Sequence, residues 1–196
     1  MSIAGMNPFM GELVNTNVQG VTCLWIQKCD YQISPVVASN TAVLVSTALT
    51  ASIQTITTGI TNPDVPRNTV AKGAIATSTG TVTVTGTDFL GTVITETIAL
   101  SGVNAVAGLK AFATVTQITL PVSSGTGDGV SIGLGSKLGL PYTLTKNVVA
   151  KAYNNNVLEA TNPTVTVDPA NLCNNTATLA TALAGSVVDI YLDVPG

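Results

Sequence analysis

Valine and threonine alternate strictly between Gly80 and Gly86. Because successive side chains of a β-strand point to opposite faces, Val82 and Val84 share one face and the threonines share the other. This pattern predicts a strand with one buried face. β-branched residues, which favour strands, dominate the rest of the chain as well, and aromatic residues make up only 4% of it. We therefore expect an all-β protein with a core of valine, isoleucine, leucine and alanine.

Short predicted strands separated by turn residues follow one another from Thr61 onward. This spacing is typical of an antiparallel β-sandwich or a barrel-like module. The segment from Thr92 to Leu100 predicts one such strand, in which Ile94 and Ile98 share a face with Glu96. Glu96 is therefore expected to be either an edge residue or an interface residue.

Two further strands carry specific expectations about their faces. Alternation predicts that the last strand, Ser186 to Val194, exposes Asp189 and Asp193 on a solvated face. These two carboxylates would be about 13 Å apart, too far for a pair that flanks a sugar bond. A strand that ends before Pro121 is expected to carry these residues on one face: Phe112, Thr114, Thr116, Ile118 and Leu120.

The chain is expected to have three parts. Two prolines within Asn62 to Asn68 fix the backbone into a stiff connection, which marks a boundary. Residues 1–60 alternate poorly and are interpreted as an extended N-terminal arm or partner-facing segment. Residues 61–142 form a central β module, and residues 143–196 form C-terminal strands that pack on this module or make a small second β unit.

Charged side chains are scarce. The 196 residues include seven Lys and Arg, ten Asp and Glu, and no His. Soluble domains usually have about a quarter of their residues charged, whereas this chain has 9%. The cations are scattered singly, so no basic stripe could neutralise successive phosphates, and direct nucleic-acid binding is not expected. The composition instead indicates a surface that contacts other protein.

No catalytic, cofactor or metal site is predicted. A serine nucleophile needs a base, and the chain has no histidine and no Ser-x-x-Lys arrangement. The glycine-rich segment Gly125 to Gly129 precedes a predicted strand rather than a helix, so it does not match a phosphate loop. Cys23, Cys29 and Cys173 match no zinc pattern and are interpreted as buried reduced thiols.

Membrane residence is not expected either. No stretch reaches the roughly 18 apolar residues that a spanning helix needs. The first ten residues lack the cation and apolar run of a secretory signal, so the glycosylation pattern at Asn174 is interpreted as chance.

Four segments of the chain resemble virion structural proteins of tailed bacteriophages: Thr61–Asn68, Gly80–Asp88, Ile94–Ile98 and Lys110–Phe112. The resemblance extends over Thr61 to Tyr142. It implies an all-β protein, without catalysis or cofactor, that assembles on a phage particle as a symmetric oligomer.

The leading hypothesis is a capsid decoration, or cement, protein of the virion. Such a protein would bind neighbouring copies of the major capsid protein, here as a trimer, with residues 1–60 in the contact. Many weak contacts repeated by symmetry would restrain the shell. The alternative is a tail, baseplate or fibre component that contacts tail proteins.

Two other classes of function rank lower. A carbohydrate-binding module needs exposed aromatic residues, and the candidates are Trp25, Tyr31, Tyr142, Tyr153 and Tyr191. An enzyme is the last choice, and Glu96 or Asp128 would be the carboxylate to test.

Overall fold

The computed structural model describes residues 14–15, 22–23 and 26–195. The strands, in chain order, are β1 (Val14–Asn15), β2 (Thr22–Cys23), β3 (Ile26–Ile33), β4 (Ser39–Ala48), β5 (Gln54–Ile56), β6 (Arg67–Gly73), β7 (Thr81–Thr87), β8 (Val93–Ala99), β9 (Val106–Phe112), β10 (Thr114–Leu120), β11 (Gly129–Gly139), β12 (Val149–Asn154), β13 (Val157–Leu158), β14 (Thr164–Thr166), β15 (Thr176–Thr178) and β16 (Val188–Pro195). One short 3-10 helix spans Leu172–Asn174. In these ranges, no helix has the length and apolar character needed to span a bilayer.

The strands form three larger antiparallel sheets and one small pair, β1–β2. Sheet I has the order β5-β10-β7-β8. Sheet II has the order β14-β15-β11-β6-β9, and β4 also pairs with β11. Sheet III has the order β13-β12-β16-β3. One sheet curls into half a barrel, and the predicted all-β antiparallel fold is confirmed. Of the predicted extended N-terminal segment, residues 1–60, the structure describes residues 14–15, 22–23 and 26–60.

Sheet I shows the predicted alternation. Val82 and Val84 are fully buried, while the threonines of β7 face outward. The strand register aligns four threonines in one row across all four strands: Thr55, Thr119, Thr83 and Thr97. The outer face of sheet I is therefore rich in hydroxyl and methyl groups.

The prediction for the strand before Pro121 is wrong in one respect. The segment is divided between β9, which ends at Phe112, and β10, which begins at Thr114. Val115 and Ile118 are buried, whereas Thr116 is exposed. The register with β7 shifts between Val115 and Gln117. This bulge inserts one residue and reverses the alternation, so the threonines do not share the face of the core.

Two apolar cores meet along β11. Ile132 and Leu134 belong to the core between sheets I and II, which also contains Phe112 and Ile118. Leu138, near the other end of β11, belongs to the second core beneath sheet III. A single long strand thus links the two cores.

The buried guanidinium of Arg67 fixes the region where the cores meet. Its side chain is 0% exposed. Nε donates to the carbonyl oxygen of Gly135 at 2.8 Å, and Nη1 donates to that of Val36 at 2.8 Å. Burial lowers the pKa of Arg67, and the nearby carboxylate of Asp64 opposes this shift. Arg67 therefore joins β6 to the irregular part of β11 and to the segment before β4.

Residues 26–60 contribute to all three larger sheets. β3 pairs with β16, β4 pairs with β11, and β5 pairs with β10. The predicted divisions at residues 60 and 142 remain predictions.

Candidate assembly surface

The carboxylate of Asp128 is used inside the fold. It accepts hydrogen bonds from Ser78 Oγ at 2.5 Å, the Ser124 nitrogen at 2.8 Å and the Gly129 nitrogen at 2.8 Å. Burial alone would raise the pKa of Asp128, but these hydrogen bonds hold it below its ordinary value. The glycine-rich segment is therefore a turn that Asp128 stabilises.

Glu96 joins two sheet edges. Its Oε1 accepts hydrogen bonds from the backbone nitrogens of Leu109 at 2.6 Å and Lys110 at 3.2 Å. Glu96 lies on β8, the edge of sheet I, and its partners lie on β9, an edge of sheet II. Of the two roles predicted for Glu96, the structure shows that of an edge residue.

The prediction of a solvated face for Asp189 and Asp193 is wrong for Asp189. Asp189 is buried, and its Oδ1 accepts a hydrogen bond from Gln32 Nε2 at 2.7 Å. Asp193 pairs with exposed Lys28 at 3.2 Å. The reason is that β3 lies beside β16 and brings Gln32 opposite Asp189.

Two of the tyrosines considered for sugar binding, Tyr31 and Tyr142, contact other side chains of the chain. Burial raises the pKa of Tyr31 to about 12. A hydrogen bond to Cys29, at 3.6 Å from the Tyr142 hydroxyl to the sulfur, raises the pKa of Tyr142.

The remaining two candidate tyrosines form one cluster. The rings of Tyr153 and Tyr191 meet edge to face at 5.8 Å, and Lys151 Nζ lies over both. Such a cation–π contact engages both rings within the chain. Trp25 lies outside the described residues.

The described cysteines are free thiols, and no metal cluster accompanies them in the described part of the chain. Cys29 is half-buried and Cys173 is buried, and both are free thiols. Burial raises the pKa of Cys173. The side chain of Cys23 is not among the described ones. Across residues 26–195 and the two short N-terminal strands, no group of three His, Cys, Asp or Glu could hold a metal ion.

A rigid loop follows β14. The carboxylate of Asp168 accepts hydrogen bonds from Asn174 Nδ2 at 2.6 Å, Asn171 Nδ2 at 3.0 Å and the backbone nitrogens of Ala170 and Asn171. These bonds hold the pKa of Asp168 well below its usual range. The Asn174 amide is therefore a structural donor.

The turn between β7 and β8 presents apolar side chains to solvent. Phe89 is 43% exposed, Leu90 is 74% exposed and Val93 is 72% exposed. We call these three residues the apolar turn. Asp88 is buried and fixes it, because Oδ1 accepts hydrogen bonds from the nitrogens of Leu90 at 3.0 Å and Thr92 at 2.9 Å. The backbone that carries these side chains is thus held in place.

The surroundings of the apolar turn are also defined. The Phe89 ring contacts the Tyr31 ring edge to face, with 6.3 Å between centroids, so the turn rests against β3 of sheet III. Beside it lies a cleft of about 420 Å³, lined by residues that include Leu90, Val93, Lys110, Asn171, Leu172 and Cys173. The turn and the cleft together form a surface on which exposed apolar side chains lie beside polar ones such as Lys110 and Asn171, and protein–protein interfaces combine both kinds of group.

Further exposed apolar side chains lie in the N-terminal part of the chain: Val36, Val37, Val45 and Ile53. Residues 1–60 are the predicted contact region, whereas neither these four residues nor the apolar turn follows from the sequence pattern. A Phe-Leu pair in a turn, where polar residues are usual, was the available signal.

Comparisons of the chain with protein-family models, with curated proteins and with solved structures find no significant match.

Proposed function

We propose that this chain is a structural subunit of a tailed-phage virion, and specifically a capsid decoration protein that binds neighbouring major capsid subunits. The resemblance of Thr61–Tyr142 to virion structural proteins supports the class of particle. The all-β architecture fits that class.

The observation that carries the proposal is the apolar turn. Leu90 and Val93 are largely exposed and line a cleft that polar side chains also line. Clusters of exposed apolar residues mark interaction sites when a polar rim surrounds them. Because Asp88 holds the backbone of the turn, little backbone freedom remains to be lost on binding. The turn therefore suits permanent contact with another protein.

The charge content supports a large contact area. Burying a charged group costs several kcal/mol unless it is paired, as an order-of-magnitude figure. The outer face of sheet I presents threonines such as Thr83 and Thr97 instead of charges. A symmetric trimer would repeat each contact and add avidity on a lattice.

The experiment uses purified shells that lack this protein, mixed with the full-length chain. Leu90→Asp places a charge in the centre of the apolar turn, and Val157→Asp is the matched control at a position 67% exposed on β13. We expect Leu90→Asp to weaken shell binding by about tenfold or more, since hot-spot residues are worth about 2 kcal/mol each. The control should bind as the unmodified chain does.

Undiminished binding of Leu90→Asp would contradict the use of the apolar turn. The alternative of a tail, baseplate or fibre component has a separate readout. Gold labelling of intact particles would then mark the tail rather than the shell.

A further inference from the structure

The edges of sheets I and II come together along β8 and β9. Both strands end their sheets, and an open sheet edge is a template for pairing with another chain. In β8, Val93 to Ala99, five of seven residues are β-branched, and Glu96 is the only charged residue. Seven-residue segments of this kind without a charge or proline are prone to aggregate.

Glu96 points toward the core rather than away from it. It shares the face of β8 that carries buried Ile94 and Ile98. From there Oε1 accepts the two backbone hydrogen bonds from Leu109 and Lys110. Inward-pointing charges of this kind are a known means of protecting an edge strand.

Lys110 makes the reciprocal contact. Its Nζ donates a hydrogen bond of 2.8 Å to the backbone oxygen of Thr95 on β8. Each strand edge thus has a backbone group bound by a side chain from the other edge. The nitrogens of Leu109 and Lys110, which already donate to Glu96, are not free to pair with an incoming strand.

Gly108 makes the close approach of Glu96 possible. A Cβ atom at this position would lie 2.4 Å from Glu96 Oε2. Within the described part of the chain, Oε2 is buried and has no hydrogen-bond partner. Burial of such an oxygen destabilises the fold, whereas an apolar residue between Ile94 and Ile98 would not carry this cost. The two hydrogen bonds that Oε1 accepts from Leu109 and Lys110 offset part of this cost.

We propose that Glu96 and Lys110 form an edge guard that prevents a second copy of this chain from adding a strand to β8 or β9. Glu96 is the central residue of β8. Antiparallel pairing of two β8 strands about their centres would therefore place Glu96 opposite Glu96 of the second copy. Like charges directly opposite each other destabilise such a pair. This inference does not depend on the virion function.

The test compares Glu96→Val with Thr97→Val in the full-length chain. Both introduce the same β-branched side chain into β8, but Thr97 faces outward and its replacement leaves the guard intact. Sedimentation velocity over a concentration series would measure association beyond the species formed by the unmodified chain. We expect Glu96→Val to associate at a concentration about tenfold lower than Thr97→Val does, since the edge protection is lost.

A second variant keeps Glu96 but displaces its carboxylate from β9. Gly108→Ala would push the flexible carboxylate off β9, and Gly125→Ala is the control, because a Cβ there meets nothing within 4 Å. We expect faster amide hydrogen exchange at Leu109 and Lys110 in Gly108→Ala, together with increased association. The proposal is overturned if the folded Glu96→Val or Gly108→Ala protein associates no more than the unmodified chain, or if Thr97→Val associates as strongly as Glu96→Val.

Discussion

Ser78 Oγ lies 2.5 Å from Asp128 Oδ1, and both residues are buried. Ser78 belongs to the connection between β6 and β7, and Asp128 belongs to the connection between β10 and β11. The hydrogen bond therefore joins two loops that are 50 residues apart in the sequence. Their backbones also meet, because the Ala74 nitrogen donates to the Gly129 oxygen at 2.8 Å.

Replacing Ser78 with Ala should destabilise the fold. The buried carboxylate of Asp128 would lose a donor, which typically costs about 1–3 kcal/mol. Thr77→Ala is the control, since Thr77 is exposed and adjacent, and it should change the free energy of unfolding by less than about 0.5 kcal/mol. Denaturant unfolding measures both. Equal effects of the two substitutions would refute a special role for the Ser78–Asp128 bond.

Stability should fall in acid. Hydrogen bonds lower the pKa values of both Asp128 and Asp168 in the folded protein. Their contribution is present above the unfolded pKa of about 4 and is lost as the pH falls through the lower folded values. The free energy of unfolding, measured from pH 6 downward, should therefore decrease below about pH 4.

Asp168→Asn tests whether Asp168 contributes to this pH dependence of the free energy of unfolding. The variant cannot ionise at residue 168, so its unfolding free energy should depend less on pH below about pH 4 than that of the unmodified chain. A slope identical to that of the unmodified chain would show that Asp168 contributes nothing to the acid sensitivity.

Arg67→Lys should weaken the link between the two cores. Lysine keeps the charge but lacks the planar fork that donates to Gly135 and Val36 at once. Loss of the partners of a buried charge lowers the free energy of unfolding by about 3 kcal/mol. Thermal unfolding measures the loss, and Lys72→Arg on the same strand serves as a control for the exchange of the two cation types. Unchanged stability of Arg67→Lys would mean that the fork is not required.

Gly133→Ala should displace β4 from β11. A Cβ at residue 133 would lie 1.7 Å from the backbone oxygen of Ser39, which cannot move without loss of the strand pair. We expect the free energy of unfolding to fall by about 3 kcal/mol or more and amide hydrogen exchange along β4 to become faster. Gly125→Ala supplies the comparison, because nothing lies near its Cβ. Protection of β4 equal to that in Gly125→Ala would contradict the assigned packing.

Alternation predicted the fold class and the buried face of β7, because Val82 and Val84 need only local geometry to share a face. It failed where distant segments decide burial. Asp189 is buried by Gln32, which lies 157 residues away, and Arg67 is buried by carbonyl oxygens of other elements. Gln32 is far from Asp189 in the sequence, and Gly135 is far from Arg67, so alternation within one strand could not indicate either contact.

The candidate surface was less predictable than the fold. The exposure of Leu90 depends on where β3 and the loop after β14 pack. Glu96 was expected at an edge or an interface, and only the position of β9 distinguishes the two. Sparse charge indicated contact with protein without indicating which face is used.

A density map of the intact particle tests the central claim most directly. We expect density for this chain on the outer capsid, with Phe89, Leu90 and Val93 buried against a neighbouring capsid subunit. Purified particles that contain no copy of the chain, or a bound copy whose apolar turn faces solvent, would contradict the account.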